Sequence, residues 1–554
     1  MSAMKLSLLI KADAFNKQFK DAFTTERTDD IPDLGPSPHT SCDDIVFTTS
    51  GIIKLLKGLK PHKAMGPDGL PPRILKDLAE EIAPILTVLF QQIYDTGEAP
   101  QDWKDANVVP IYKKDNRHST ENYRPVSLTS VLSKVYEHII VSATMNHLTS
   151  NNILTDDQYG FRSKRSCETA LLATIHEWAE CLFHELQVDV IFLDFSKAFD
   201  CVPHQRLLEK LRYYGIDGKI NKSIKSLLSG RRQRVLINGT KSEWEYVTSG
   251  VPQGSVIGPI LFLIYINDIQ QEISSSMKLF ADDSTIYRPI RSYEDHLTLQ
   301  EDLRKLDLWA EKWQMTFKPI KCKTMNITNK RHISKYDYTV KGSPIETIKQ
   351  HTYLGVEIDN KLTWTPHINK ICSKSRQTLG LVQRSLHAAP QFVKGTAYKV
   401  VVRPKLEYAS SAWSPQGSTK IKKLESVQRK AARFTTRNYE KSTDSSGLVS
   451  TLEWDTLQVR RNTRDATMWY KTHHGGVDLS FPPSVHLKPR LFKNDHQLAY
   501  FLPQVRVDAY KNSFFMRTIS LWNGLPGEVV AAPSADCFQR QALDHFRMAQ
   551  AGAV

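Results

Sequence analysis

The sequence predicts an α+β fold in which strands carrying acidic residues are flanked by helices. Two segments carry that prediction. VDVIFLDF, residues 188–195, is a continuous apolar, β-branched run that ends in Asp194, the pattern of a strand buried on both faces. MKLFADDSTIYR, residues 277–288, reads as strand, tight acidic turn and strand around Asp282 and Asp283. Between them, GPILFLIYINDIQQEI has the length and spacing of a helix.

The remaining elements follow in order. Residues 1–50 are mixed and contain IPDLGPSPHTSCDD, a Pro/Ser/Asp-rich stretch that reads as a linker. GIIKLLKGLK has a helical pattern, AMGPDGLPP is turn-rich, and apolar residues at helical spacing run from Ile74 to Tyr94. From Trp103 to Leu132 the chain alternates extended pieces, NVVPIY and YRPVSL, with a polar loop. Residues 168–184 read as an amphipathic helix. Residues 295–313 read as another, with Leu297, Leu299, Leu303, Leu306 and Trp309 as its core side chains. A hairpin is expected around Tyr353-Leu354-Gly355, and beyond it the chain is mainly helical and basic to about residue 470. There are no repeats and no low-complexity tract.

At 554 residues the chain is too long for a single hydrophobic core, and with 40% hydrophobic and 24% charged residues its composition is globular. The longest apolar run, Val256–Ile266, is broken by Gly258 and Pro259 and falls short of the ~20 residues of a membrane span. The N-terminal apolar stretch is cut off by Lys11, Asp13 and Lys17, so a signal peptide and secretion are not expected. Seven cysteines stand singly with no zinc spacing, which suits a reducing compartment, cytosol or nucleus. The net charge is +15, and residues 361–470 hold 20 Lys and Arg against 7 Asp and Glu, so most of the excess sits in that block. Such a block suits a nucleic-acid-binding surface, or a solvated helical face.

Phosphoryl transfer at a nucleic-acid end uses two hard cations roughly 3.5–4 Å apart, held by carboxylates from separate segments. Asp194 at a strand end and Asp282-Asp283 at a turn would project from one edge of a sheet. Taken singly, each has an ordinary reading: a strand-end Asp as a helix N-cap, an Asp pair as a turn.

The surrounding text is specific. VIFLDFSKAFDCVPH (190–204), SGVPQGSVIGPILFLIYINDI (249–269) and LFADDSTIY (279–287) resemble, in order, the three central motifs of reverse transcriptases from non-LTR, LINE-like retrotransposons. The resemblance extends to GPDGLPPRILK, NYRPVSLTSVLSKVYE, QYGFRSKRSCETALL and YLGVEID. Past these, VVRPKLEYASSAWSP, LESVQRKAARF and SFFMRTISLWNGLP look like the C-terminal part of jockey-like elements, so the match covers roughly residues 50–535.

The resemblance implies a right-hand polymerase. Its parts would be an N-terminal linker (1–50), fingers (51–185), a palm (186–360), a basic helical thumb (361–470) and a C-terminal region (471–554), with the reverse transcriptase domain at about 94–360. It implies RNA-directed DNA synthesis with two Mg2+ ions, or Mn2+ in their place, on Asp194, Asp282 and Asp283. Phe199 would be the aromatic gate that excludes a ribose 2′-hydroxyl. Gln253 and Gly254 would line the nucleotide site. Arg124 and Lys113 or Lys114 would grip the triphosphate, the lysines also reading as a solvated loop. Gly160, Phe161 and Arg162 would contact the template. Lys321 would be a general acid toward pyrophosphate. Tyr353, Leu354 and Gly355 would grip the primer or form a buried apolar hairpin. Lys318 stands where the family usually has Asn, which bears on the local turn.

The implied partners are an RNA template, a DNA primer and dNTPs, in a ribonucleoprotein of nucleus and cytoplasm. Access to chromosomal DNA is expected through a separate or missing endonuclease, because the first 50 residues cannot hold one. Two other readings are a decayed copy and a ribonucleoprotein component that keeps the fold to bind RNA. An RNA-dependent RNA polymerase is disfavoured by Phe199 and the FADD context.

Overall fold

The computed structural model describes residues 3–551, apart from Lys441 and Asn494. Its centre is a five-stranded sheet with spatial order Glu346–Thr347, Lys323–Ile327, Gln187–Leu193, Asp283–Ile290 and Ser276–Phe280. The middle strand, Gln187–Leu193, is buried at every residue and pairs antiparallel on both sides. Its side chains alternate between two hydrophobic cores. Ile191 and Leu193 join the core that holds helix Gly258–Ile266, whereas Val188, Val190 and Phe192 join the one that holds helix Cys167–Phe183. That double burial is why the segment reads as one unbroken apolar run.

Several expected elements change extent. Helix Gly258–Ile266 stops where the motif INDI begins, because Asn267 turns its amide to Ile153 O at 2.8 Å and accepts from Thr155 N at 2.9 Å. The 74–94 helix is two, Pro72–Asp77 and Ala79–Thr96, broken at Leu78. In helix Tyr293–Lys312, Leu299, Leu303 and Leu306 are buried as expected. Leu297 is 46% exposed, since two residues from Leu299 place it off the buried stripe. Helix Cys167–Phe183 is not amphipathic but buried nearly all round, with His176 and Phe183 packed on Tyr510 and His176 on Phe515 from the C-terminal region.

A second sheet joins strands Asp105–Tyr112 and Tyr123–Leu128, antiparallel, with Arg232–Ile237 pairing parallel to the first. The third strand therefore returns from well beyond residue 185, the expected limit of this unit. The expected linker at 1–50 is corrected in its first part. Residues 3–20 form a helix whose Ala12 and Phe19 pack on Val108 and Val235 of this sheet. Irregular chain follows from about residue 23 to the helix Thr49–Lys57. The C-terminal half is helical, with Thr365–Ser385, Ser418–Thr436, Leu457–His473 and Ala535–Ala551 packed around Trp413, Trp469 and Trp522. No helix among the described residues is long and apolar enough to cross a membrane.

Candidate active site

The sheet register brings the three aspartates to one edge. Leu193 pairs with Ser284, so Asp194 leaves its strand beside Asp283 at the start of the neighbouring one. Phe280 pairs with Asp283, which makes Ala281-Asp282 the hairpin turn, with Ala281 at φ +54°. A non-glycine residue in that region is strained and must be held by its surroundings.

Gln158, a residue the sequence reading passed over, does the holding. Its buried side-chain oxygen accepts from Ala281 N at 2.9 Å and from Gly160 N at 2.8 Å. Tyr159 N donates to Leu279 O and Leu279 N to Asp157 O, so residues 157–160 run along the acidic hairpin as an extra edge. Gly160 is obligatory here, because a Cβ would lie 2.5 Å from Ala281 N. The only signal in the sequence was the QYG triplet, which does not show what it touches.

Loss of hydration raises the carboxyls of both Asp282 and Asp283. Asp282 is pushed up despite the nearby cations of Arg124 and Lys113, which act the other way. Asp283 is pushed up to about 6, first by loss of hydration and then by the charges of Asp282 and Asp194. Asp194 Oδ2 accepts from Lys321 Nζ at 3.0 Å. Three oxygen-only side chains that repel one another are the donor chemistry a hard divalent cation takes. Among the described residues no three such groups already converge as a finished metal site.

Lys113 and Arg124 belong to the second sheet, where Ile111 pairs with Arg124 and Lys113 N donates to Asn122 O. Loss of hydration and the charges of Arg124 and Lys321 hold the Lys113 ammonium below its usual range, which places these cations around one space. Lys114 points elsewhere, 3.9 Å from Asp115. Gln253 O accepts from Ser127 N at 2.7 Å, and Gly254, at φ +125°, leaves no room for a Cβ, which would lie 2.3 Å from Ser127 O. The Gln253 side chain donates to Asp200 Oδ1 at 2.9 Å. Phe199 stacks on Phe262, centroids 4.3 Å apart, and meets the exposed, positive-φ Phe161 edge-on at 6.5 Å.

Other expected residues are differently engaged. Arg162 donates to its own chain at Thr155 O, 2.7 Å. Tyr353 is buried against Trp178 and Phe192, so the hairpin shows solvent its tip at Leu354-Gly355 rather than its ring. Tyr408 closes on that tip by donating to Leu354 O at 3.0 Å. Lys318 forms its turn intact, its N donating to Asp194 O at 2.8 Å and its O accepting from Lys321 N at 2.9 Å. Both are backbone bonds.

Residues 111–358 match the family model of reverse transcriptases, RNA-dependent DNA polymerases. This segment is a reverse transcriptase domain. The domain carries the right-hand polymerase fold, and reverse transcriptases use divalent metal ions. The probable RNA-directed DNA polymerase from transposon X-element of Drosophila melanogaster is 28% identical over 393 residues, 68% of this chain and 42% of that protein. The RNA-directed DNA polymerase from mobile element jockey of Drosophila funebris is 28% identical over 399 residues, 70% of this chain and 43% of that protein. The Pol polyprotein from type-1 retrotransposable element R1 of Bradysia coprophila is 25% identical over 369 residues, 64% and 36% of the two chains. The chain thus spans less than half the length of these relatives, and the resemblance to jockey-like non-LTR elements is borne out.

Proposed function

We propose that the chain is the RNA-directed DNA polymerase of a non-LTR retrotransposon, extending a DNA primer with dNTPs on an RNA template. The observation that carries this reading is the placement of Asp194, Asp282 and Asp283 at one sheet edge, with Lys113 and Arg124 facing them from the other sheet. On this reading the central sheet is the palm. The second sheet with the helices before it forms the fingers, and residues 361–470 the thumb.

Asp194 and Asp282 would hold two magnesium ions, with Asp283 completing the acidic set; manganese could replace them. Bound there, the ions activate the primer 3′-hydroxyl and neutralise the triphosphate. Lys113 and Arg124 would orient the triphosphate. Gln253 and Gly254 would let the nucleotide approach the backbone, and Phe199, braced by Phe262, would exclude a ribose 2′-hydroxyl. Lys321 would leave Asp194 to donate a proton to the departing pyrophosphate. Phe161 and the backbone around Arg162 would meet the template, and the Leu354-Gly355 tip the primer.

The test is extension of a DNA primer on an RNA template with magnesium and dNTPs, beside the Asp282→Asn/Asp283→Asn double variant. Extension by the parent alone is expected. A parent that binds template-primer but never extends it would overturn the reading in favour of a decayed or RNA-binding protein.

A further inference from the structure

Arg460, Arg464 and Lys471 line a cavity of about 230 Å3 beside helix Leu457–His473. Its other walls include Glu168, in the first turn of helix Cys167–Phe183, and Gln539 of helix Ala535–Ala551. The space equals roughly eight water volumes of about 30 Å3 each, enough for one phosphate group with part of its hydration. On a rise of ~1.5 Å per residue, the three cations spread over roughly 16 Å of helix.

The charges do not cancel. Nearly buried Glu407 draws in Arg403, Arg460 and Arg464, and the Arg464 guanidinium also reaches Ser410 Oγ at 3.2 Å. Glu168 is already engaged, accepting from Ser411 N at 3.1 Å. The lining itself holds three cations, Arg460, Arg464 and Lys471, and one carboxylate, Glu168; Glu407 pairs with the two arginines from outside it, and Lys471 has no salt bridge among the described residues. A cavity lined by more guanidinium and ammonium groups than carboxylates favours an anion, and planar guanidinium suits phosphate oxygens.

Its position says where that anion comes from. Just past this helix, Gly475 O accepts from Lys164 Nζ at 2.9 Å, and Asp478 N donates to Lys164 O at 2.9 Å. Asp478 Oδ2 accepts from Arg165 Nε at 2.6 Å. The loop that follows the cavity's helix is thus tied to Lys164 and Arg165, next to the residues assigned above to the template. We propose that the cavity is a phosphate-binding site that takes a phosphodiester of the RNA template strand, an inference that rests on that assignment.

The test uses the full chain and fluorescence anisotropy with labelled RNA–DNA template-primer. Divalent ions and dNTPs are left out, so a chain unable to polymerise still reports. Lys471→Ala should weaken binding roughly fivefold at 0.15 M salt and lower the slope of log affinity against log salt by about one. Lys471→Arg should restore both, and Lys511→Ala, an exposed lysine outside the cavity, should change neither. In a parallel arm, inorganic phosphate should raise the melting temperature of the parent but not of Lys471→Ala. Loss of the phosphate response with unchanged template-primer binding would keep the phosphate site but overturn the template as its source. No change in either arm would overturn the site altogether.

Discussion

Ala281 and Gln158 show how much of this site depends on residues that do no chemistry. The turn carrying Asp282 is held in a left-handed conformation by one amide oxygen and by the closeness of Gly160. Gln158→Ala leaves two buried N–H groups without their acceptor, at about 1–3 kcal/mol each. We expect kcat to fall at least tenfold in primer extension while the KM for dNTP changes little, since Lys113 and Arg124 are untouched. Gly160→Ala should do the same through its clash with Ala281 N. An unchanged kcat in both variants would remove Gln158 from the site. On the proposed reading the Phe199 ring bars the 2′-hydroxyl, so Phe199→Ala should raise ribonucleotide incorporation relative to deoxynucleotide by tenfold or more in a competition assay.

At the scale of elements, the N-terminal helix is a working part of the second sheet. Phe19 fills the space above Val108 and Val235, and Phe19→Ala should cost about 3–4 kcal/mol locally. Because that sheet carries Lys113 and Arg124, the expected outcome is a raised KM for dNTP with template-primer affinity preserved. Equal losses in both would show general unfolding instead. The hairpin Gln350–Asp359 is clamped similarly, and Tyr408→Phe removes the bond to Leu354 O, worth about 1 kcal/mol. Its readout is primer affinity.

Across the whole molecule, two buried imidazoles sit where distant parts of the chain meet. His176 lies between its helix and Tyr510 and Phe515, and His367 beside Trp413 with Nδ1 accepting from Glu357 N. Burial lowers each to about 4. A base depressed in the fold below its unfolded value near 6.5 contributes stability that is present above pH 6.5 and is lost as pH falls toward 4, up to about 3 kcal/mol per ring. The melting temperature should therefore drop over that interval, and less steeply for His176→Phe. A parent profile flat from pH 7 to 4 would contradict this. The basic block should make template-primer binding fall steeply with salt, and a flat response would argue for a merely solvated helical face.

The positions of Asp194, Asp282, Asp283 and Gly254 were legible because their residue types and spacings are set by local chemistry: an acid past a buried strand, acids at and just after a tight turn, glycine where backbone nears backbone. The buried middle strand was legible because both its faces are covered. What the tertiary structure decided lay in partners distant along the chain. The helix at 3–20 packs Ala12 and Phe19 on Val108 and Val235, so its buried face depends on strands formed by residues 105–112 and 232–237. Helix 167–183 looks one-sided until the C-terminal region covers its other face. Tyr353 belongs to the core because Trp178 and Phe192 are there to receive it, and Gln158 matters only because Ala281 lies across from it. By itself the sequence determined the chemistry, since donor groups and turn geometry are written within a few residues of one another. Only the assembled fold decided what holds those groups in place, since burial and hydrogen bonding depend on which surfaces meet.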